Sequence, residues 1–389
     1  MEFPHATATP SSPNSRFRLD PPNAGSNASR SVIQVKGLTK VFRTYKKQPG
    51  LIGAVQGLFR RTYESTSAAD GIGFEVEAGE LIGFLGPNGA GKTTTLKILA
   101  GLLHPTAGSV SVLGFIPWER PIEYRRQFAL LLGQKNQLWW DLPARDSLEL
   151  NAKLYGIERR DFERTLGELT EMLDVQDKLS VMVRELSLGE RMKMEIIAAL
   201  LHHPKVLYLD EPTIGLDVLA QRKVRAFLKA YNAAGRTTIL LTSHYMADIE
   251  ALCRRVIIID HGRIIYDGPL ATIMDQVADY KIVVLQCDAS QQIAALDRMG
   301  VGEVLEVTPR EVRLRVKRNR VIPVCKLLLS LPSVTDISIQ DVPIETIIGH
   351  IFSRTKFEPL SQPLSPPSSP PQAEAGQFHN LSAKVSDEV

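Results

Sequence analysis

The sequence predicts an α/β protein built on a largely parallel sheet. From Val32 to about Gly268, short apolar segments alternate with helical patterns, as in "ELIGFLG", "KVLYLDEP", "TTILLTSH" and "RVIIIDHGRIIYDG". A glycine-rich turn separates one of these strands from a helix, and a second strand ends on two carboxylates.

The glycine-rich turn lies in "LIGFLGPNGAGKTTTLKIL", which holds the pattern G-x-x-x-x-G-K-[ST] from Gly86 to Thr93. Glycines let the backbone curl so that successive N–H groups point inward at phosphate oxygens, and the following helix adds its positive end. The loop Gly86, Pro87, Asn88, Gly89, Ala90 and Gly91, continued by Lys92, Thr93 and Thr94, is therefore expected to bind the phosphates of a nucleotide. Lys92 reaches toward the β and γ phosphates, and the Thr93 hydroxyl is placed for Mg²⁺.

The acidic strand is "KVLYLDEPTIGLD", apolar from Val206 to Leu209 and then Asp210 and Glu211. Carboxylates at the exit of a hydrophobic strand are costly unless they serve a cation or a proton. Asp210 is expected in the Mg²⁺ shell and Glu211 as the general base that polarises the attacking water. His244 closes the strand of "TTILLTSHYMADIE", where it can contact a γ-phosphate.

Taken together, these motifs resemble the ATP-binding subunit of an ABC transporter, over about Val32 to Gly268. "GPNGAGKTT" resembles the Walker A, Gln134 in "LLGQKNQLWWDLP" the Q-loop, and "LSLGE" the signature. "VLYLDEP" resembles the Walker B, "TIGLD" the D-loop ending at Asp217, and His244 the switch histidine. Phe42 in "GLTKVFRTY" fits the aromatic position that stacks on adenine. The resemblance implies a P-loop NTPase of the ABC type with an antiparallel β subdomain and a helical subdomain, followed here by a small C-terminal α+β appendage. It also implies ATP and Mg²⁺ as cofactors, with Gln134 acting in catalysis and at the metal beside Thr93 and Asp210.

In this family two subunits pack head to tail, which implies a homodimer or a heterodimer with a second ATPase subunit. Ser187 and the Gly189 backbone would then meet the γ-phosphate bound by the partner. The usual signature, LSGGQ, is altered to Leu186-Ser187-Leu188-Gly189-Glu190. Ser187 followed by Glu190 is also a capping box in its own right, and both roles are compatible. A carboxylate at position 190 so near a triphosphate is expected to lower affinity.

The chain has 389 residues, room for two domains and tails, and a net charge of +3 that does not argue for nucleic acid. Three cysteines far apart, Cys253, Cys287 and Cys325, fit buried thiols better than a disulfide framework or a zinc site. No apolar run approaches the roughly 18–20 residues that span a bilayer, and the first residues do not form a secretory signal. Pro/Ser-rich tails are expected at 1–30 and 358–389, the ATP-binding domain at 31–270, and the accessory domain at 271–357.

An insertion at about 46–66 places Leu51, Ile52, Val55, Leu58 and Phe59 on one helical face between basic residues. That face would touch a bilayer or partner, or else cover the sheet. Trp139 and Trp140 are either an anchor for a permease or part of the core.

The expected function is ATP hydrolysis that powers transport, as export, through separate integral membrane permease subunits, with the chain peripheral on the cytoplasmic face. The competing readings are a soluble ABC-type ATPase acting on ribosomes or DNA, and an ATP-binding module that has lost hydrolysis. Glu211 and His244 speak against the second of these, while Leu188 and Glu190 keep it open.

Overall fold

The computed structural model describes residues 31–45, 63–133, 136–235, 237–277, 279–287, 299–331 and 334–355. The two expected tails, the apolar face at Leu51–Phe59 and Gln134 lie outside the described residues. Tyr63–Thr66, at the far end of the expected insertion, lie in a strand.

The chain opens with β1 (Ser31–Tyr45) and β2 (Tyr63–Glu77), followed by β3 (Leu81–Leu85), α1 (Lys92–Leu99), β4 (Ala107–Val112) and β5 (Phe128–Leu132). Helices α2 (Ala144–Tyr155), α3 (Arg159–Leu173) and α4 (Leu188–Leu200) come next. Then β6 (Val206–Asp210), α5 (Val218–Ala233), β7 (Thr238–Thr242), α6 (Met246–Leu252), β8 (Arg255–Asp260) and β9 (Arg263–Pro269) complete the main body. The remainder is α7 (Leu270–Val277), β10 (Tyr280–Cys287), β11 (Glu303–Val307), β12 (Glu311–Lys317), α8 (Val321–Leu329), β13 (Val334–Gln340) and α9 (Ile344–Thr355).

The main sheet has the order β5-β6-β7-β3-β8-β9 and is parallel except for the β8–β9 hairpin. His261 and Gly262 both take positive φ in that hairpin, the backbone that matches the twist of its strands. The central strands read as unbroken apolar runs because both faces are covered. Their residues still alternate between two cores. Leu207, Leu209, Ile239 and Leu241 join α2, α3 and α4, whereas Val206, Tyr208 and Leu240 join α1 and the antiparallel sheet β2-β1-β4. The parallel sheet therefore carries the helical layer on one face and the β layer on the other.

The C-terminal part is an antiparallel sheet of order β11-β12-β10-β13. Val283, Leu285, Val312, Leu314 and Val316 pack beneath α8 in a separate third core. Packing does not respect a boundary at 270/271, however. Val342, Ile344, Ile347 and Ile348 share the first core with Ile249, Tyr266, Leu270 and Ile273, so α9 returns to the main body. The sequence does not reveal this, because an apolar stripe names no partner. Cys253 and Cys287 are buried, but Cys325 is only half-buried, contrary to the expectation of three buried thiols. Among the described residues no helix is long and apolar enough to cross a membrane.

Candidate functional site

The phosphate loop joins β3 to α1, and steric contacts dictate its glycines. A Cβ on Gly86 would sit 2.3 Å from the Ile259 carbonyl oxygen, and one on Gly91 2.0 Å from that of Ala68. Gly89 and Gly91 also take positive φ, 81° and 106°. Between them Ala90 is buried, donating its N–H to Pro87 O and accepting from the Gly262 N–H. Pro87 and Asn88 form the outer lip.

Helix α1 starts with no side-chain cap and no acidic residue in its first turn, which leaves its first N–H groups to face an anion. Lys92 is buried, and its Nζ donates to Gly86 O at 2.6 Å and Pro87 O at 3.1 Å. Burial pulls its ammonium below the usual lysine range, while the charges of Glu211 and then Asp210 act in the opposite direction. Thr94 is half-buried beside it.

The acidic end of β6 meets this loop. Thr93 Oγ1 donates to Asp210 Oδ2 at 2.8 Å, and Thr242 Oγ1 donates to Asp210 Oδ1 at 2.7 Å. Glu211 has φ 57°, a left-handed backbone rarely taken by a residue with a side chain. Its N–H donates to Thr242 O and Oγ1, both at 3.1 Å, and its Oε1 lies 2.6 Å from His244 Nε2. The Thr93–Asp210 oxygens and the uncapped α1 form a donor set that suits a magnesium–phosphate group.

Gln134 is outside the described residues; Gly133, just before it, is the last described residue of that segment. Gly133 donates its N–H to Asp210 O, and a Cβ there would lie 2.4 Å from Glu211 O. Phe42 is 39% exposed on β1, with Lys40 Nζ 5.2 Å from its ring centre. It pairs with Thr66, two residues before Ala68, whose carbonyl closes on Gly91.

The stretch "LSLGE" forms the head of α4. Glu190 N–H donates to Ser187 Oγ at 3.2 Å, and Ser187 N–H donates to Glu190 Oε2 at 2.9 Å, completing the capping box. Glu190 Oε1 lies 3.2 Å from Lys178 Nζ. Hydrogen bonding from the Ser187 backbone, aided by the Ser187 hydroxyl and Lys178, holds the Glu190 carboxyl below the usual range. The carboxylate is thus turned onto its own helix end and a lysine.

Leu188 rests on the loop before α5, since a Cβ on Gly215 would come 3.0 Å from Leu188 Cδ2. Gly189 lets α4 approach Ala220 of α5, where a Cβ would meet the alanine at 3.0 Å. Asp217 caps α5, its Oδ1 accepting the N–H groups of Leu219 at 2.9 Å and Ala220 at 2.8 Å. Replacing Ser187 by Ala is expected to cost about 1 kcal/mol of stability in a denaturant titration. An unchanged midpoint would show that the cap contributes nothing.

Several polar residues here escaped the sequence reading. Thr242 holds the Asp210 carboxylate and the Glu211 N–H, and its only signal is a hydroxyl at the end of an apolar strand. Glu195 is buried on α4, its Oε1 accepting the N–H groups of Gln137 at 2.9 Å and Leu138 at 3.2 Å. It ties the signature helix to the stretch after Gln134. Burial pushes its carboxyl above the usual range, against the pull of those two N–H groups. Trp139 and Trp140 are 41% and 44% exposed, so neither is core, and Arg191 lies 5.1 Å from the Trp140 ring centre.

Residues 69–214 match the ABC transporter family, and residues 279–340 match the C-terminal domain of EvrA-like ABC transporters. The chain is 34% identical to the ABC transporter ATP-binding protein NatA of Bacillus subtilis, over 56% of this chain and 88% of that one. It is 39% identical to the Nod factor export ATP-binding protein I of Burkholderia pseudomallei, over 54% of this chain and 68% of that one. Among solved structures, an ATP-binding subunit of an ABC transporter aligns with 30% identity and a TM-score of 0.53, covering 63% of this chain and 93% of that one. A dimeric ATP-binding cassette in a post-hydrolysis state bound to ADP and Pi shares the fold at 22% identity and a TM-score of 0.51, over 61% of this chain and 98% of that one. The phosphate loop, the acidic strand end and these relatives converge: the chain belongs to the ABC transporter family, as an ATP-binding protein.

Proposed function

We propose that the chain hydrolyses ATP with Mg²⁺ and powers export through a separate integral membrane permease. The observation that carries hydrolysis is the 2.6 Å contact of Glu211 with His244, placed beside the Thr93–Asp210 bond and Lys92. In this reading Lys92 and the N–H groups of Gly86–Thr94 hold the phosphates, and Phe42 stacks on adenine. Thr93, Asp210 and Gln134 hold the cation, whose chemistry is to neutralise charge on the phosphates. Glu211 takes the proton of the attacking water, and His244 orients Glu211 and contacts the γ-phosphate. Ser187, Gly189 and Asp217 complete the partner's site in a homodimer or heterodimer. Catalysis is then mainly positioning and electrostatic stabilisation.

Export is favoured by the relative named for Nod factor export. The exposed Trp139–Trp140 pair supplies an aromatic anchor for the permease. The chain would then sit peripherally on the cytoplasmic face, with no nucleic acid partner. Purification of the tagged full-length chain from detergent-solubilised membranes tests this. The expected result is recovery of a multi-spanning protein with Mg²⁺-dependent ATPase activity, lost when both tryptophans are replaced by alanine. Recovery of ribosomes or DNA instead would overturn the transport reading in favour of the soluble ATPase.

A further inference from the structure

Beyond the residues assigned to the nucleotide lies a fully buried carboxylate, Asp248 on α6, with 0% exposure. A carboxylate in the interior is strongly unfavourable unless every oxygen is paired. Asp248 Oδ1 accepts from Arg225 Nη1 at 3.0 Å, and Oδ2 accepts from Ser243 Oγ at 2.7 Å and also from Thr213 Oγ1. These partners come from three places. Arg225 is on α5, Thr213 opens the loop that runs from Glu211 to Asp217, and Ser243 immediately precedes His244.

The far side of His244 is fastened as well. Tyr245 donates its N–H to Ser243 Oγ at 3.0 Å and accepts the Asp248 N–H through its carbonyl at 3.0 Å. His244 therefore spans two residues that are both held by Asp248 or by its hydroxyl partner. Two hydroxyls from two functional loops converge on a single oxygen.

We propose that Asp248 is a positioning residue that yokes the switch loop to the D-loop, so that neither moves without the other. The proposal rests on the roles given above to His244 and Asp217. In those roles His244 serves the subunit's own nucleotide and Asp217 faces the partner's. The yoke is then a route by which one ATP site is felt at the other. A purely structural tie would fasten each loop independently, and its loss would register as stability alone.

The test is a double-mutant cycle on the full-length chain with Thr213→Val, Ser243→Ala and the pair. Each single change leaves the Asp248–Arg225 pair in place. Under the proposal each lowers kcat roughly 10-fold with KM for ATP held within about twofold, as expected for lost transition-state positioning. Because either change breaks the same bridge, the double variant falls no further than the worse single one. The ATP dependence of the rate also loses its cooperativity. Thr213→Ser, which keeps the hydroxyl, retains the parent kcat.

Multiplicative effects in the double variant, changes confined to KM, or failure of either single variant to fold would overturn the yoke. Glu211→Gln, measured alongside, separates the two levels. If it still turns over ATP, the reading of the site fails. If it is inactive while the hydroxyl variants multiply, only the Asp248 proposal fails.

Discussion

Glutamine in place of Glu211 reduces ATP turnover by a factor of about 10²–10⁴, the usual contribution of a positioned general base. The exchange is isosteric and removes only the capacity to accept a proton. The Glu211 N–H bonds to Thr242, and the strained φ of 57° that aims the side chain, belong to the backbone and persist. His244 Nε2 still finds an amide oxygen where Oε1 stood. Lys92, Thr93 and Asp210 are untouched, so ATP binding survives and the unhydrolysed nucleotide accumulates in a closed dimer. Phosphate release and size-exclusion chromatography with ATP together check this. Turnover within a few-fold of the parent would remove Glu211 from the role of base.

Alanine in place of Gly91 abolishes nucleotide binding and lowers stability by about 3 kcal/mol or more, the range reserved for backbone strain and overpacking. The added methyl would sit 2.0 Å from the Ala68 carbonyl oxygen, on a residue whose φ of 106° already suits only glycine. Backbone blocks it, so no side chain can swing aside, and β2 must separate from the loop. Gly89→Ala is the control, because its φ of 81° is also positive but its Cβ would meet nothing within 4 Å. That variant loses only the left-handed penalty of roughly 1–2 kcal/mol. Binding of a fluorescent ATP analogue and thermal melting report both. Equal behaviour of the two variants would show that contact with β2 is not what shapes the loop.

Both of these sites were legible in the sequence because their chemistry is local. The phosphate loop is a contiguous run, and Asp210 and Glu211 announce themselves by interrupting an apolar strand. The capping box at Ser187 and Glu190 is equally local, since its two partners are one helical turn apart. What the sequence could not supply was tertiary. Asp248 stands in "MADIEAL", a short helix whose acids look solvent-facing, and only the arrival of Thr213, Ser243 and Arg225 makes it an interior group. For Glu190 the sequence supplies the capping box with Ser187 but not the ion pair with Lys178, whose partner lies 12 residues away. Leu188 stands where the usual signature has glycine, and the contact of its side chain with the loop at Gly215 is not written in the sequence. The alternation of central strand residues between two cores was invisible for the same reason, because both kinds of residue are apolar.

The return of α9 to the first core gives the C-terminal sheet two roots on the nucleotide-binding body, one through α7 and one through Val342 to Ile348. A pendant domain joined by one strand of chain can swing; one anchored at both ends behaves as a handle, and force on it reaches the body in two places. The roots also lie close to α6, the helix that follows the switch histidine, since Ile249 belongs to the same cluster. Force on the sheet therefore enters the body close to α6 and the residues that precede it, His244 among them.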